Sequence, residues 1–353
     1  MKIKYCGAKG QGWGWGVFGE SIARELQNLG VLTENETDAD VALIPLADHD
    51  LNAGSPVRAR VNLAVCFFEY ALGPNAAANA AKYDVVFAGS TWCLDRLAER
   101  GIHNTALLIQ GVDGETFKAK PPRKTEHYKA GVAHGKGMKQ SFYADPKPGF
   151  RIFSGGKFEY RKGQDLVIAA FREFSKTHPE AHLVCSWFNP WPDLAKQLVN
   201  KMGWDGPTVN QSALYHAVLC AEGLRPEQFT ILPQLNHADL AREMANTDAG
   251  LFPNRCEGGT NLVLMEYAAL GRPVIANVLT GHADVAEAIH YQIPATADPV
   301  TGWAKQRVKD IVDRMEMAKH YRHVPVPSLP YWPWSDAAEK IVTTARKYFA
   351  RLK

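Results

Sequence analysis

The stretch "FPNRCEGGTNLVLMEYAALGRPVIA", Phe252 to Ala276, decides how this chain reads. An apolar run "AGLFPN" ends at Asn254, and a turn, Glu257-Gly258-Gly259-Thr260-Asn261, opens a helix. Gly271-Arg272-Pro273 closes that helix before a second apolar run, "PVIA", begins. Strand, helix and strand in that order make a βαβ unit, whose strands must run parallel. Gly258 and Gly259 let backbone amides approach a ligand at the strand's carboxyl end, while Glu257 and Glu266 offer carboxylates to hydroxyl groups. A glutamate inside the apolar helix "NLVLMEYAAL" is costly to bury unless it meets a hydrogen-bonding partner, which singles out Glu266.

Outward from this unit the same alternation fills the chain. Before it come "FRIFSGG", the helix "QDLVIAAFREFSKTH", "AHLVCSWF", the helix "DLAKQLVNKM", "QFTILPQ" and the helix "ADLAREMANT". Near the start, "KIKYCG", "VFGESIARELQNLG", "DVALIPLA", "VNLAVCFFE", "YDVVFAGS", "TWCLDRLAERG" and "TALLIQG" repeat it. The pattern predicts α/β architecture with two doubly wound, Rossmann-like domains over 1–148 and 149–325, facing a cleft that is the natural ligand site. Residues 326–353 are left as a proline-rich segment and a last helix that packs back on the body.

Two further motifs carry chemistry. In "SGGKFEYRKGQDLVIAAF", Ser154 to Phe171, Lys157 and Lys162 follow a strand and precede a helix, so two cations stand beside free amides and suit a diphosphate. In "GAKGQGWGWGVFG", Gly7 to Gly19, the glycines, Gly12 and Gly14 among them, allow close backbone approach. Their spacing fits neither a dinucleotide fingerprint nor a P-loop. Trp13 and Trp15 beside them offer faces on which a sugar ring can stack.

Composition sets the outer bounds. With 46% apolar and 22% charged residues in a chain of 353, disorder, collagen and coiled coil are excluded. A net charge of +3 is too small to mark a nucleic-acid binder, so any such case is local. The six cysteines, widely spaced and mostly in apolar runs, read as free buried thiols. No long apolar stretch predicts a signal peptide or a membrane span, so the expected location is the cytoplasm, with attachment to a membrane surface left open. His178 and His182 are four apart, but Pro179 and the strand that follows rule against a helical metal pair.

The motifs "G-x-x-x-x-x-K-G-x-D-L", "D-A-G-L-F-P" and "E-G…E-Y-A-A-L-G-R-P-V-I-A", in this order, resemble the carboxyl-terminal domain of retaining family-four glycosyltransferases of the GT-B fold. "FGESIARELQNLG", "CFFEYALGPN" and "IQGVDGETF" extend the likeness more loosely into the first half. The resemblance implies a retaining transferase that moves a sugar from a nucleotide diphosphate sugar to a hydroxyl of a glycan, of a lipid or, less commonly, of hydroxymethylated DNA. It implies that Lys157 and Lys162 hold the diphosphate, that Glu266 binds the ribose, and that Glu257 with the backbone of Gly258 to Asn261 contacts the transferred sugar. Glu257 and Glu266 stand nine positions apart where the family has eight, and Lys157 replaces a frequent arginine. Glu69, at the end of "VNLAVCFFE", is the candidate beside the reacting carbon, and equally a cap on the turn that follows. No metal or other cofactor is expected beyond the sugar nucleotide as co-substrate. The other readings are an epimerase of the same fold and an inactive sugar- or nucleic-acid-binding module.

Residues 118–151 hold nine basic residues, Lys118, Lys120, Arg123 and Lys124 among them, against two acidic ones. This +7 segment, interleaved with aromatics, reads either as a solvated linker or as a guide for a polyanionic acceptor such as hydroxymethylated DNA or anionic lipid headgroups.

Overall fold

The computed structural model describes residues 1–10, 12–54, 59–118, 149–206, 210–326 and 332–352. In the first half, β1 (Ile3–Tyr5), β2 (Val41–Leu46), β3 (Val61–Cys66), β4 (Val85–Ala88) and β5 (Thr105–Leu107) form a parallel sheet in that spatial order. Leu32 bridges to Ile3 on the outer side of β1, so the winding direction reverses at β1 and its carboxyl end becomes a crevice. β2, β3 and β4 are nearly all buried, as strands covered on both faces must be. Between them lie α1 (Gly14–Asn28), α2 (Ala76–Ala80) and α3 (Thr91–Glu99). In α1, Phe18, Ile22 and Leu26 recur every four residues and turn one stripe into the core.

The second sheet contains β6 (Arg151–Gly156), β7 (His182–Trp187), β8 (Phe229–Ile231), β9 (Ala249–Phe252), β10 (Val274–Ala276) and β11 (Tyr291–Gln292). Their spatial order, β8-β7-β6-β9-β10-β11, is that of a doubly wound nucleotide-binding sheet, with the reversal between β6 and β9. Around it pack α4 (Gln164–Thr177), α5 (Pro192–Lys201), α6 (Gln211–Ala221), α7 (His237–Ala245), α8 (Leu262–Ala269) and α9 (Val308–His320). The short hairpin of β12 (Ala295–Ala297) and β13 (Ala304–Gln306) stands apart from both sheets.

The last helix, α10 (Trp334–Ala350), does not pack on the domain that precedes it. Trp334, Ala338, Ile341, Val342 and Ala345 join Ile3, Phe18, Ile22 and Val61 in the core of the first sheet, so the chain crosses back to where it began. All six cysteines are free, and Cys66, Cys93, Cys185 and Cys256 are buried. No helix among the described residues is long and apolar enough to cross a membrane.

Candidate active site

The carboxyl ends of β6 and β9, at the reversal of the second sheet, carry the two motifs that the sequence singled out. After β6 the chain passes Lys157 and makes a single 3-10 turn, Tyr160–Lys162. It enters α4 through Gly163, whose φ of +75° and contact with the Pro253 carbonyl both require glycine. After β9 it passes Asn254 and Glu257 and enters α8 through Asn261, also left-handed at φ +65°.

The Glu257 carboxylate lies between both motifs. Lys162 Nζ is 2.6 Å from one oxygen and Arg161 Nη1 3.2 Å from the other, and the Asn254 amide donates to the first. Burial alone would raise its pKa. Lys162 and then Arg161 outweigh that and hold it down to about 2, so Glu257 is ionised throughout the physiological range. His282, behind it, accepts from the Asn261 amide (3.1 Å), and burial keeps its pKa near 4, so this imidazole is neutral.

Lys157 Nζ is 3.3 Å from Glu159 and 4.8 Å above the ring of Trp191, which is 48% exposed. Burial, and then Arg161, push its pKa below the ordinary lysine value. Glu69, after β3, reaches across the cleft and places Oε1 3.3 Å from Arg161 Nη1. Lys157, Lys162, Glu257 and Glu69 are thus brought together, and Arg161, passed over in the sequence, stands at their centre. Its only cue was its place between two residues of the same motif.

Gly258 and Gly259 lie on the seam with the first domain. The Gly258 carbonyl accepts from Ser90 Oγ (2.9 Å) and from Cys93 Sγ (3.0 Å), and a Cβ on Gly259 would meet Gln110 Oε1 at 2.6 Å. The Thr260 hydroxyl donates to Met265 Sδ at 2.9 Å, and the residue is fully buried. Gly12 faces the second domain, where an added Cβ would lie 3.2 Å from Gln234, whereas Gly14 has open space beside it. Trp13 is 40% exposed. The Trp15 ring is instead packed edge-on against Phe67 and Phe18, at 4.7 and 6.1 Å. Lys118 pairs with Glu115 at 2.7 Å; Lys120, Arg123 and Lys124 lie outside the described residues.

Glu266 is 6% exposed, and its carboxyl makes no hydrogen bond or ion pair among the described residues. Burial, with Asp113 adding a like charge, pushes its pKa up to about 8. The folded protein therefore holds a proton that the unfolded chain releases near 4.5, so this group's contribution to stability is full below pH 4.5 and is lost as pH rises through about 8. Glu266→Gln is expected to flatten that decline, read as a smaller fall in melting temperature from pH 5 to pH 8. It should also weaken a bound nucleotide by about 1–3 kcal/mol if the carboxylate holds hydroxyls. Unchanged nucleotide affinity by calorimetry would make Glu266 a structural residue.

His178 and His182 take separate partners, Glu316 at 2.8 Å and Thr230 at 2.8 Å, and no group of three His, Cys, Asp or Glu among the described residues is placed to hold a metal ion.

Comparison with known proteins agrees with this layout. Residues 149–308 match the family model described as Glycosyl transferases group 1. Comparison with curated proteins finds none that matches. Among solved structures, Alr3699/HepE from Anabaena in complex with UDP superposes with a TM-score of 0.58 at 13% identity, over 98% of this chain and 100% of that one. AviGT4, a glycosyltransferase involved in avilamycin A biosynthesis, gives 0.57 at 13% over 99% and 98%. The sucrose-phosphate synthase of Thermosynechococcus elongatus gives 0.54 at 17% over 89% and 74%. At such identities the likeness is one of fold, the GT-B arrangement of two Rossmann-like domains. Residues 149–308 thus match the model of group 1 glycosyl transferases, in a chain with the GT-B fold.

Proposed function

We propose that the protein is a retaining glycosyltransferase that moves a hexosyl or pentosyl group from a nucleotide diphosphate sugar to a hydroxyl acceptor. The observation that carries this reading is the junction of β6 and β9, where Lys157 and Lys162 stand with an ionised Glu257, while α8, which follows, carries a buried Glu266 that has no hydrogen-bond or ion-pair partner among the described residues. Each group then has a task. Negative charge grows on the departing diphosphate as the bond to the sugar breaks, and preformed cations aimed at that charge lower the barrier. Lys157 and Lys162 supply them. Glu257, held ionised, accepts hydrogen bonds from the transferred sugar, and Glu266 accepts from the ribose. Retention needs the acceptor on the face the diphosphate leaves, where the diphosphate can take the acceptor's proton, so no dedicated protein base is required. Glu69, on the first domain, borders that face.

UDP and UDP-glucose, bound by the Anabaena structure, are the first probes. Incubation with a panel of nucleotide sugars and simple acceptors should release nucleoside diphosphate, with the donor's anomeric configuration kept in the product by NMR. A product of inverted configuration, or no diphosphate release from any donor, would overturn the reading.

For the acceptor we propose a polyanion guided by the basic segment 118–151, with modified DNA ahead of an anionic lipid. Each phosphate contact adds close to one unit to the salt dependence of binding. Neutralising Lys118, Lys120, Arg123 and Lys124 together should therefore flatten the slope of DNA affinity against salt by up to about four units, while leaving donor hydrolysis untouched. An unchanged slope, or no DNA binding at low salt, would move the acceptor to neutral glycans.

A further inference from the structure

Arg161 is buried, at 5% exposure, yet no step above uses it. Nη1 lies 3.3 Å from Glu69 Oε1, 3.2 Å from Glu257 Oε2 and 3.1 Å from the Cys256 carbonyl, and Nη2 donates to Glu159. Its backbone is fixed as well, since the Arg161 carbonyl accepts from the Arg255 amide at 2.7 Å. One guanidinium thus faces three carboxylates. Glu159 and Glu257 belong to the second domain and Glu69 to the first, and Arg161–Glu69 is the one ion pair among the described residues that joins the two domains.

Two carboxylates that share a single nitrogen would repel each other without it. The position of Glu69 beside Glu257 is therefore Arg161's doing. The seam itself does not depend on this contact. Trp303 Nε1 donates to the Glu69 carbonyl at 2.9 Å, Ser90 to the Gly258 carbonyl, and the Thr91 amide to Asp284 at 2.8 Å. These bonds hold the Glu69 backbone and the neighbouring loops, and leave the direction of its side chain to Arg161. A lysine, with one compact ammonium in place of a planar fork, cannot reproduce three fixed directions.

We infer that Arg161 is a positioning residue, which aims the first domain's Glu69 at the donor site of the second. The inference rests on the transferase reading above. The test is a double-mutant cycle of R161K, E69Q and R161K/E69Q, read as UDP release from UDP-glucose. R161K and E69Q should each slow turnover about tenfold, and the double variant should be no slower than either alone, because both remove the same interaction. UDP affinity by calorimetry should stay within about threefold of wild type in all four proteins, a separation that a collapsed site would not give. A double variant about a hundredfold slower, or a UDP affinity that falls with turnover in R161K, would overturn the inference. The same proteins melted without ligand read the pairing whatever donor the chain uses: shifts in melting temperature that add across the cycle overturn it, and shifts that do not add support it. Failure of UDP to bind the wild-type chain would overturn the donor-site reading instead, and the melting cycle would still decide on Arg161.

Discussion

Lys162→Ala is expected to slow turnover by a hundredfold or more, since removing one preformed group that stabilises developing charge typically costs about 3 kcal/mol of transition-state binding. Two effects combine at this position. Its ammonium is the cation closest to Glu257, at 2.6 Å, and it stands where the diphosphate is proposed to leave. The fold should survive, because Arg161 and Asn254 still satisfy the buried carboxylate. The loss should therefore fall mainly on kcat, with a melting temperature lowered only modestly. Near-wild-type turnover in a folded variant would remove Lys162 from the diphosphate site.

Gly258→Ala should slow transfer by about a hundredfold while sparing nucleotide binding. A Cβ there would lie within 2.7 Å of the Phe68 backbone nitrogen and carbonyl carbon and closer still to its carbonyl oxygen, atoms of the first domain that no side-chain rotation can clear. Overpacking against backbone costs about 1–3 kcal/mol, and here a small opening of the cleft relieves it. Opening would break the Ser90 and Cys93 bonds to the Gly258 carbonyl and pull Glu69 away from Arg161. The expected result is unchanged UDP affinity with transfer reduced by about a hundredfold. Transfer at the wild-type rate would show that the two domains need not meet at this turn.

The inner strands of both sheets were legible because parallel strands buried on two faces read as unbroken apolar runs, as in "VALIPL" and "HLVCSW", whereas the two-residue, partly exposed edge strand β11 was not. The helix α6, "QSALYHAVLCA", went unread: it is apolar nearly all round and shows little of the 3.6-residue periodicity that marks a surface helix. The last helix was visible by its pattern, but nothing local says that it returns to the first sheet. The site divides in the same way. Lys157, Lys162, Glu257 and Glu266 lie in short motifs whose chemistry is carried by neighbours in the chain. Ser90 on Gly258, Thr91 on Asp284 and Trp303 on Glu69 are contacts between residues 168 to 234 positions apart, which no local spacing encodes. Arg161 belongs to both groups: its position is local, but its importance comes from a glutamate 92 positions earlier in the chain.

The most direct test of the account is a crystal structure of the protein with UDP bound. The diphosphate should lie within hydrogen-bonding distance of Lys157 and Lys162 at the carboxyl ends of β6 and β9, and the ribose hydroxyls against the Glu266 carboxyl group. A nucleotide seated elsewhere, with Lys162 still closed on Glu257 and Glu266 still without a partner, would contradict it.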